Sequence, residues 1–326
     1  MNPAASPAVA VQIDDAVAEA VRCGLASRQK SLPPWLFYDE AGSRLFDAIT
    51  ELPEYYLTRT ERGILAANAP AIMTQAAGGA KLRIAELGAG SADKTRILLN
   101  AAVALQRAVV YEPIDVSPTA LESAHKRIQR EIPQVHVAPR VEDYTRALEF
   151  DPAGTGERRL VLYIGSSIGN FEMPQAQLLL ARIREALNPG DSLLLGVDLV
   201  KEESILLAAY NDAAKVTAAF NRNLLVRLNR ELGGDFRPKA FAHRARWNAS
   251  ESRIEMHLES LYAQRVRLSA MDLEARFASG ETIHTENSYK FAPGQAESML
   301  AEAGFIPAAT WTDDRNWFAV HLARAE

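Results

Sequence analysis

The chain has 326 residues, enough for one large domain or two moderate ones. Its 48% hydrophobic and 24% charged content is ordinary for a globular protein, and a net charge of −5 leaves no basic face for nucleic acid as a bulk partner. One cysteine, Cys23, excludes an internal disulfide framework and fits a reducing compartment.

Residues 1–10 are rich in Ala and Pro, are expected to fray, and lack the basic and apolar regions of a secretory leader. No stretch reaches the roughly 18 apolar residues of a membrane span, so a soluble cytoplasmic protein with no membrane partner is expected. Asp14 to Arg28 reads as an amphipathic helix with Val17, Val21 and Leu25 on one face, ended by Ser31–Trp35 with its paired prolines. Leu52-Pro-Glu-Tyr-Tyr56 follows, where the tyrosines either pack or offer a hydroxyl to a ligand. Thr60 to Met73 is predicted helical, with Ile64, Leu65 and Ile72 inward, and Gly78-Gly79 breaks it.

From there strands and helices alternate. Strands are predicted at 83–87, 108–114, 135–138, 159–164 and 192–197, and helices at 94–106, 117–131 and 174–187, with Ser117 as N-cap and Pro118 at N1. Continuous apolar strands alternating with helices predict a doubly wound parallel α/β sheet, whose ligands bind at the carboxyl ends of its strands. Glu86 to Gly90, Asp115, Asp143-Tyr144 and Gly165 to Asn170 all fall at those ends.

The first of these, Glu86-Leu-Gly-Ala-Gly90, is a strand feeding a glycine turn and then a helix, the architecture of a nucleotide site. A phosphate loop is excluded, because Asp93 stands where the glycine before the lysine belongs and would repel phosphate. A dinucleotide loop lacks its third glycine, and Asp115 lies beyond the usual spacing of about 20 residues. S-adenosylmethionine has no pyrophosphate and carries a sulfonium cation. Glu86 can counter that cation or order the loop, and Asp115 can accept from ribose hydroxyls. E-x-G-x-G with a following acid resembles the class I methyltransferase fingerprint, although a purely structural turn would look similar.

After Asp198 the pattern changes. Glu203 to Ala219 is predicted helical with Tyr210 at its middle, and the helix continues through Asn229 to stop at Gly233-Gly234. Arg253 to Tyr262 alternates like a strand, Gln264 to Leu268 reads as its hairpin partner, and Thr282 to Lys290 alternates again. This is an inserted antiparallel unit. A helix at 296–303 and a closing hairpin, 308–312 with 317–322, complete the chain. The six histidines are scattered in sequence and show no ligand spacing, so no metal site is expected.

With these pieces in place the chain resembles the L-histidine Nα-methyltransferases of ergothioneine biosynthesis, from about Lys30 onward. The resemblance rests on Lys30-Ser-Leu-Pro-Pro, Phe37-Tyr-Asp, Leu52-Pro-Glu-Tyr-Tyr, Glu86-Leu-Gly-Ala-Gly-Ser, Gly165-Ser-Ser-Ile-Gly-Asn, Val216-Thr-Ala-Ala-Phe-Asn-Arg-Asn and Arg253-Ile-Glu-Met. It implies an S-adenosyl-L-methionine-dependent enzyme that trimethylates L-histidine to hercynine, acting as a monomer. It implies a Rossmann-like methyltransferase domain of residues 60–198 plus 291–326, and an inserted α+β substrate-binding domain of residues 11–59 plus 199–290. Around the methyl donor the family places Gly88, Lys94, Asp115 and the pair Asp143-Tyr144, with Phe the usual residue at 144; Glu86 and Gly90 complete that expectation. Tyr38, Tyr55, Gly165, Asn170 and Tyr210 would hold the amino and carboxylate groups of the amino acid, with Tyr55 and Asn170 orienting the amine. Glu286 and Ser288 would read the imidazole, and Met256 would line its pocket. Without the resemblance, Tyr210, Met256 and Glu286 would read as a half-buried tyrosine, a core methionine and a solvated acid. A relative acting on another amino acid, tryptophan above all, is the nearest rival, and a non-catalytic subunit retaining the sheet is a second.

Overall fold

The computed structural model describes residues 14–90 and 92–326. The segment 1–10 expected to fray, and Ser91 of the glycine loop, lie outside the described residues. The chain divides into two compact units, the first of Met1–Leu52, Leu207–Arg246 and Glu255–Glu286, the second of Pro53–Leu206, Trp247–Ile254 and Asn287–Glu326.

The second unit carries the expected doubly wound sheet. Its strand order is Phe305–Thr312, Phe318–Ala325, Ser192–Asp198, Glu157–Tyr163, Lys81–Leu87, Val109–Asp115 and Val135–Val137. The strands from Ser192–Asp198 onward in that order pair in parallel, while Phe318–Ala325 lies antiparallel on Ser192–Asp198. Alternate residues of a strand point to opposite faces. Leu160 and Leu162 therefore join a core with Leu65, Ile72, Leu98 and Leu99 of the helices Tyr56–Ala77 and Thr95–Gln106. Val161 and Tyr163 join the other core, with Leu179, Leu180 and Leu300 of the helices Met173–Glu185 and Gln295–Glu302. Both faces are covered, which is why these strands read as unbroken apolar runs. Each such Leu or Val contributes roughly 1.5–3 kcal/mol by leaving water.

The helix expected over 60–73 runs longer, from Tyr56 to Ala77, and ends at Gly78 in the left-handed conformation with φ +51°. Ser117 caps the next helix but one as expected, its hydroxyl accepting from the Ala120 N–H at 3.3 Å, with Pro118 at the first turn.

In the first unit, helix Asp15–Ala26 buries Val17, Val21 and Leu25 as its periodicity required. A four-stranded sheet runs in the order Lys30–Ser31, Thr282–Tyr289, Arg253–Ser260, Phe241–Asn248. Two expectations need correction. Gln264–Leu268 pairs with Leu273–Phe277 and not with the strand before it. A turn at Ser269–Met271 closed by Asp272 at φ +49° makes that hairpin, and Leu273, Ala275 and Phe277 alternate with Glu274 and Arg276 in the partner. The long helix expected from Glu203 is also broken, into Glu203–Tyr210 and Val216–Leu232. Asp212 explains the break: its carboxylate accepts from the N–H groups of Val216 and Thr217, both at 2.8 Å, and so starts a new helix. Tyr210 consequently sits at a helix end.

Replacing Asp212 with Ala removes both acceptors from the start of Val216–Leu232. The cost expected is about 0.5–2 kcal/mol. Urea denaturation should show a lower midpoint with an unchanged slope; an unchanged midpoint would show that the cap is not stabilising.

Candidate active site

Strand Lys81–Leu87 lies between Glu157–Tyr163 and Val109–Asp115, so the chain turns to opposite sides from neighbouring strand ends. Such a switch point opens a crevice at the carboxyl edge of a parallel sheet. Two of the expected segments, 86–90 and 165–170, leave the adjacent strands Lys81–Leu87 and Glu157–Tyr163 there.

Gly88 and Gly90 take φ +69° and +49°, the left-handed region where a side chain is strained. A Cβ on Gly88 would stand 3.4 Å from the Tyr144 hydroxyl, whereas one on Gly90 would meet nothing within 4 Å, leaving that backbone open to a ligand. The Gly90 N–H reaches Asp115 Oδ2 at 3.4 Å, and Asp115 Oδ1 accepts from the Ser117 N–H at 2.9 Å. Burial raises the Asp115 carboxyl above the ordinary range. An open backbone beside a half-buried carboxylate suits a nucleoside with free hydroxyls. Tyr144 packs edge-on against Tyr163 at 5.9 Å, and burial pushes its hydroxyl up to about 12. Asp143 is exposed and folds back on the Thr145 N–H at 3.0 Å.

Glu86 was expected either to counter a cation or to order the loop, and its contacts favour the second role. It is 3% exposed. The Thr95 hydroxyl bonds it at 2.7 Å and the Tyr111 hydroxyl donates to it as well, tying the strand to the helix that follows. Burial raises its carboxyl to about 7.

Glu61 was missed in the sequence and holds the crevice together. Fully buried on helix Tyr56–Ala77, it accepts from the Gly165 N–H at 2.8 Å and pairs with Lys94. Gly196 makes room for it, since a Cβ there would press into the Glu61 carboxylate. The available signal was spacing: Glu61, Ile64, Leu65 and Ile72 share one helix face. The contact bears on Gly165, expected beside the amino and carboxylate groups of the amino acid: its N–H is bonded to Glu61. Gly165 has φ +84° and the next residue, Ser166, holds φ +59° although it carries a side chain. The Ser166 hydroxyl accepts from the Asp198 N–H at 2.9 Å, fixing the strained turn that leads to Asn170. Tyr55 precedes helix Tyr56–Ala77 and is nearly buried, its carbonyl accepting from Arg59 at 3.0 Å. Ser288 accepts from Lys290 Nζ at 2.8 Å, and Lys290 pairs with Asp198 at 2.8 Å.

The first unit holds Tyr38, Tyr210, Met256 and Glu286. Tyr38 packs edge-on against Phe46 and Phe220, at 5.7 and 5.9 Å. Tyr210 and Met256 are joined through backbone groups by a buried chain of side chains. His243 Nε2 donates to the Tyr210 carbonyl at 2.8 Å and Asn221 Nδ2 donates to His243 Nδ1 at 2.9 Å. The Thr285 hydroxyl then lies 2.9 Å from Asn221 Oδ1 and 3.0 Å from the Met256 carbonyl. Burial keeps the His243 pKa below its ordinary value, which suits a neutral ring that donates at one nitrogen and accepts at the other. Glu286 is half-buried on strand Thr282–Tyr289. The sequence signalled neither Asn221 nor His243 as parts of a network, because the pairing that joins them is long-range.

Residues 17–325 match the family model described as histidine-specific methyltransferase, SAM-dependent. The chain is 47% identical to the histidine N-alpha-methyltransferase of Mycolicibacterium smegmatis, over 95% of this chain and 96% of that protein. It is 44% identical to the protein of the same name from Mycobacterium tuberculosis, over 93% of each. Ergothioneine biosynthesis protein 1 of Neurospora crassa is 29% identical over 90% of this chain and 33% of its own length.

The position of Glu86 sets a pH dependence. Its folded pKa is raised from the ordinary 4.5 to about 7 by burial, so between those values the folded protein holds a proton that the unfolded chain has lost. The stabilisation is complete below the lower value and disappears as pH rises through the upper one. Glu86→Gln cannot titrate, and its melting temperature should fall less than wild type's across that window. Parallel pH profiles of the two proteins would overturn the assignment.

Proposed function

Because the chain belongs to the S-adenosylmethionine-dependent, histidine-specific methyltransferase family, we propose that it methylates the α-amino nitrogen of L-histidine three times, giving hercynine for ergothioneine biosynthesis. The observation that carries the reading is the coincidence of an open glycine loop, a half-buried Asp115 and the Glu61 clamp at one switch point. We assign donor binding to residues 60–198 plus 291–326 and substrate binding to residues 11–59 plus 199–290. The enzyme is proposed to act as a monomer in the cytoplasm; among the described residues no helix is long and apolar enough to cross a membrane.

Bound S-adenosylmethionine supplies an electrophilic methyl group on a sulfonium. The remaining tasks fall to the protein. Gly88, Gly90, Lys94, Asp115, Asp143 and Tyr144 are proposed to hold the donor, with Glu86 ordering their loop. Tyr55 and Asn170 are proposed to orient the amine lone pair, and alignment of this kind contributes ~7–11 kcal/mol. A proton must leave the nitrogen before each transfer, and the Tyr55 hydroxyl is the assigned acceptor or relay. Each methyl replaces an N–H donor, so the grip that persists has to be on the carboxylate. Tyr38, Tyr210 and Gly165 are assigned to it. Glu286 and Ser288 are assigned to the imidazole, with Met256 along its face.

The specificity assignment is tested at Glu286. A site that accepts a hydrogen bond from a substrate N–H rejects a ligand that leaves the acceptor unpaired. Glu286→Ala should cost histidine a charge-assisted bond, roughly 1.5–3 kcal/mol or about tenfold and more in kcat/KM, and should relax the bar against tryptophan. Equal histidine efficiency in both proteins would remove Glu286 from the pocket. Efficient tryptophan methylation by the wild type would favour the tryptophan-acting reading.

A further inference from the structure

The six histidines are scattered in sequence, but two of them meet in the first unit. His257 on strand Arg253–Ser260 and His284 on strand Thr282–Tyr289 are neighbours in the four-stranded sheet, and their rings stack at 4.8 Å between centroids and 21° between planes. Glu255 joins them from the same face of its strand, two residues before His257. One potential ligand atom from each of the three lies within 4.8 Å of the others. Among the described residues this is the one His/Cys/Asp/Glu group so arranged.

The hydrogen bonds fix how the rings carry their protons. His257 Nε2 faces Glu255 Oε2 at 3.2 Å, and a carboxylate only accepts, so His257 donates there. His284 Nε2 faces the Glu286 carbonyl at 3.1 Å and likewise donates. His257 Nε2 and Glu255 Oε2 stand as far apart as two ligands of one ion, and an ion held by both would displace the proton between them. The neutral His284 ring keeps its lone pair at Nδ1, with Nε2 donating to a backbone carbonyl in the way metal-binding histidines are held. His257 Nδ1 is buried and has no hydrogen-bond partner, and its side chain is only 7% exposed. The positive charge nearby, Arg246, has its guanidinium 3.8 Å from the Glu259 carboxylate.

We propose that Glu255, His257 and His284 form a binding site for one divalent transition-metal ion of the imidazole-preferring class, represented by Zn²⁺. Two nitrogens and one carboxylate oxygen suit Zn²⁺ or Co²⁺, and they are a poor set for Ca²⁺ or Mg²⁺, which take oxygen ligands. The ion would bridge the strands Arg253–Ser260 and Thr282–Tyr289. Nothing in this site depends on the methyl-transfer assignment.

The test uses the full, tag-free chain carrying Cys23→Ser, so that the exposed thiol does not compete, in buffer free of histidine. Calorimetric titration with ZnCl₂ should show one saturable equivalent. His284→Gln and His257→Gln should each weaken it by about tenfold or more, whereas His136→Gln, on an exposed strand position, should leave it unchanged. Visible ligand-field bands should appear with CoCl₂ and be lost in His284→Gln. If His257→Gln fails to fold, the half-buried His284 carries the comparison. No saturable binding, or equal affinity in the folded His284→Gln protein, would overturn the proposal.

Discussion

A carboxylate buried without an answering charge costs several kcal/mol, and Glu61 is fully buried. Its two oxygens are answered by Lys94, which starts the helix after the first glycine loop, and by the Gly165 N–H, which starts the second. Meeting the needs of one carboxylate therefore fixes three segments that are distant in sequence. Gly196 belongs to the same arrangement, because any side chain there would occupy the space of the Glu61 carboxylate. The crevice at the carboxyl edge of the sheet depends on this contact more than on any single donor-loop residue.

Two further acids at that edge are accommodated by different means. Glu86 is surrounded by hydroxyls from Thr95 and Tyr111 and holds its proton up to near neutral pH. Asp198 lies among partners: Tyr56 donates to it at 2.7 Å, and Lys201 and Lys290 pair with it at 2.5 and 2.8 Å. The same aspartate's N–H secures Ser166, whose left-handed backbone would otherwise cost on the order of 1–3 kcal/mol. Strain stored in that turn is held by the strand beside it, and the short helix that ends at Asn170 is thereby given one orientation.

The sheet was legible because buried parallel strands leave long apolar runs, and because Ser117-Pro118 and Gly78 are local punctuation whose chemistry needs no distant partner. The glycine loop was legible for the same reason. What escaped was non-local. Gln264–Leu268 alternates equally well against either neighbour, and only the left-handed Asp272 decides for Leu273–Phe277. Asp212 read as a polar residue within a helix until its two backbone partners were seen. Glu61 shares a helix face with Ile64, Leu65 and Ile72, but its partners Lys94 and Gly165 are ones that periodicity cannot bring together. The histidine pair was illegible because it depends on strand register.

The functional reading turns on where the methyl groups go and how many are added. The direct measurement is mass spectrometry, with fragmentation, of the product formed from the protein, S-adenosylmethionine and L-histidine. Three methyl groups on the α-nitrogen and none on the ring are expected at completion. Histidine recovered unchanged while another free amino acid is methylated, or a methyl group on the imidazole, would contradict it.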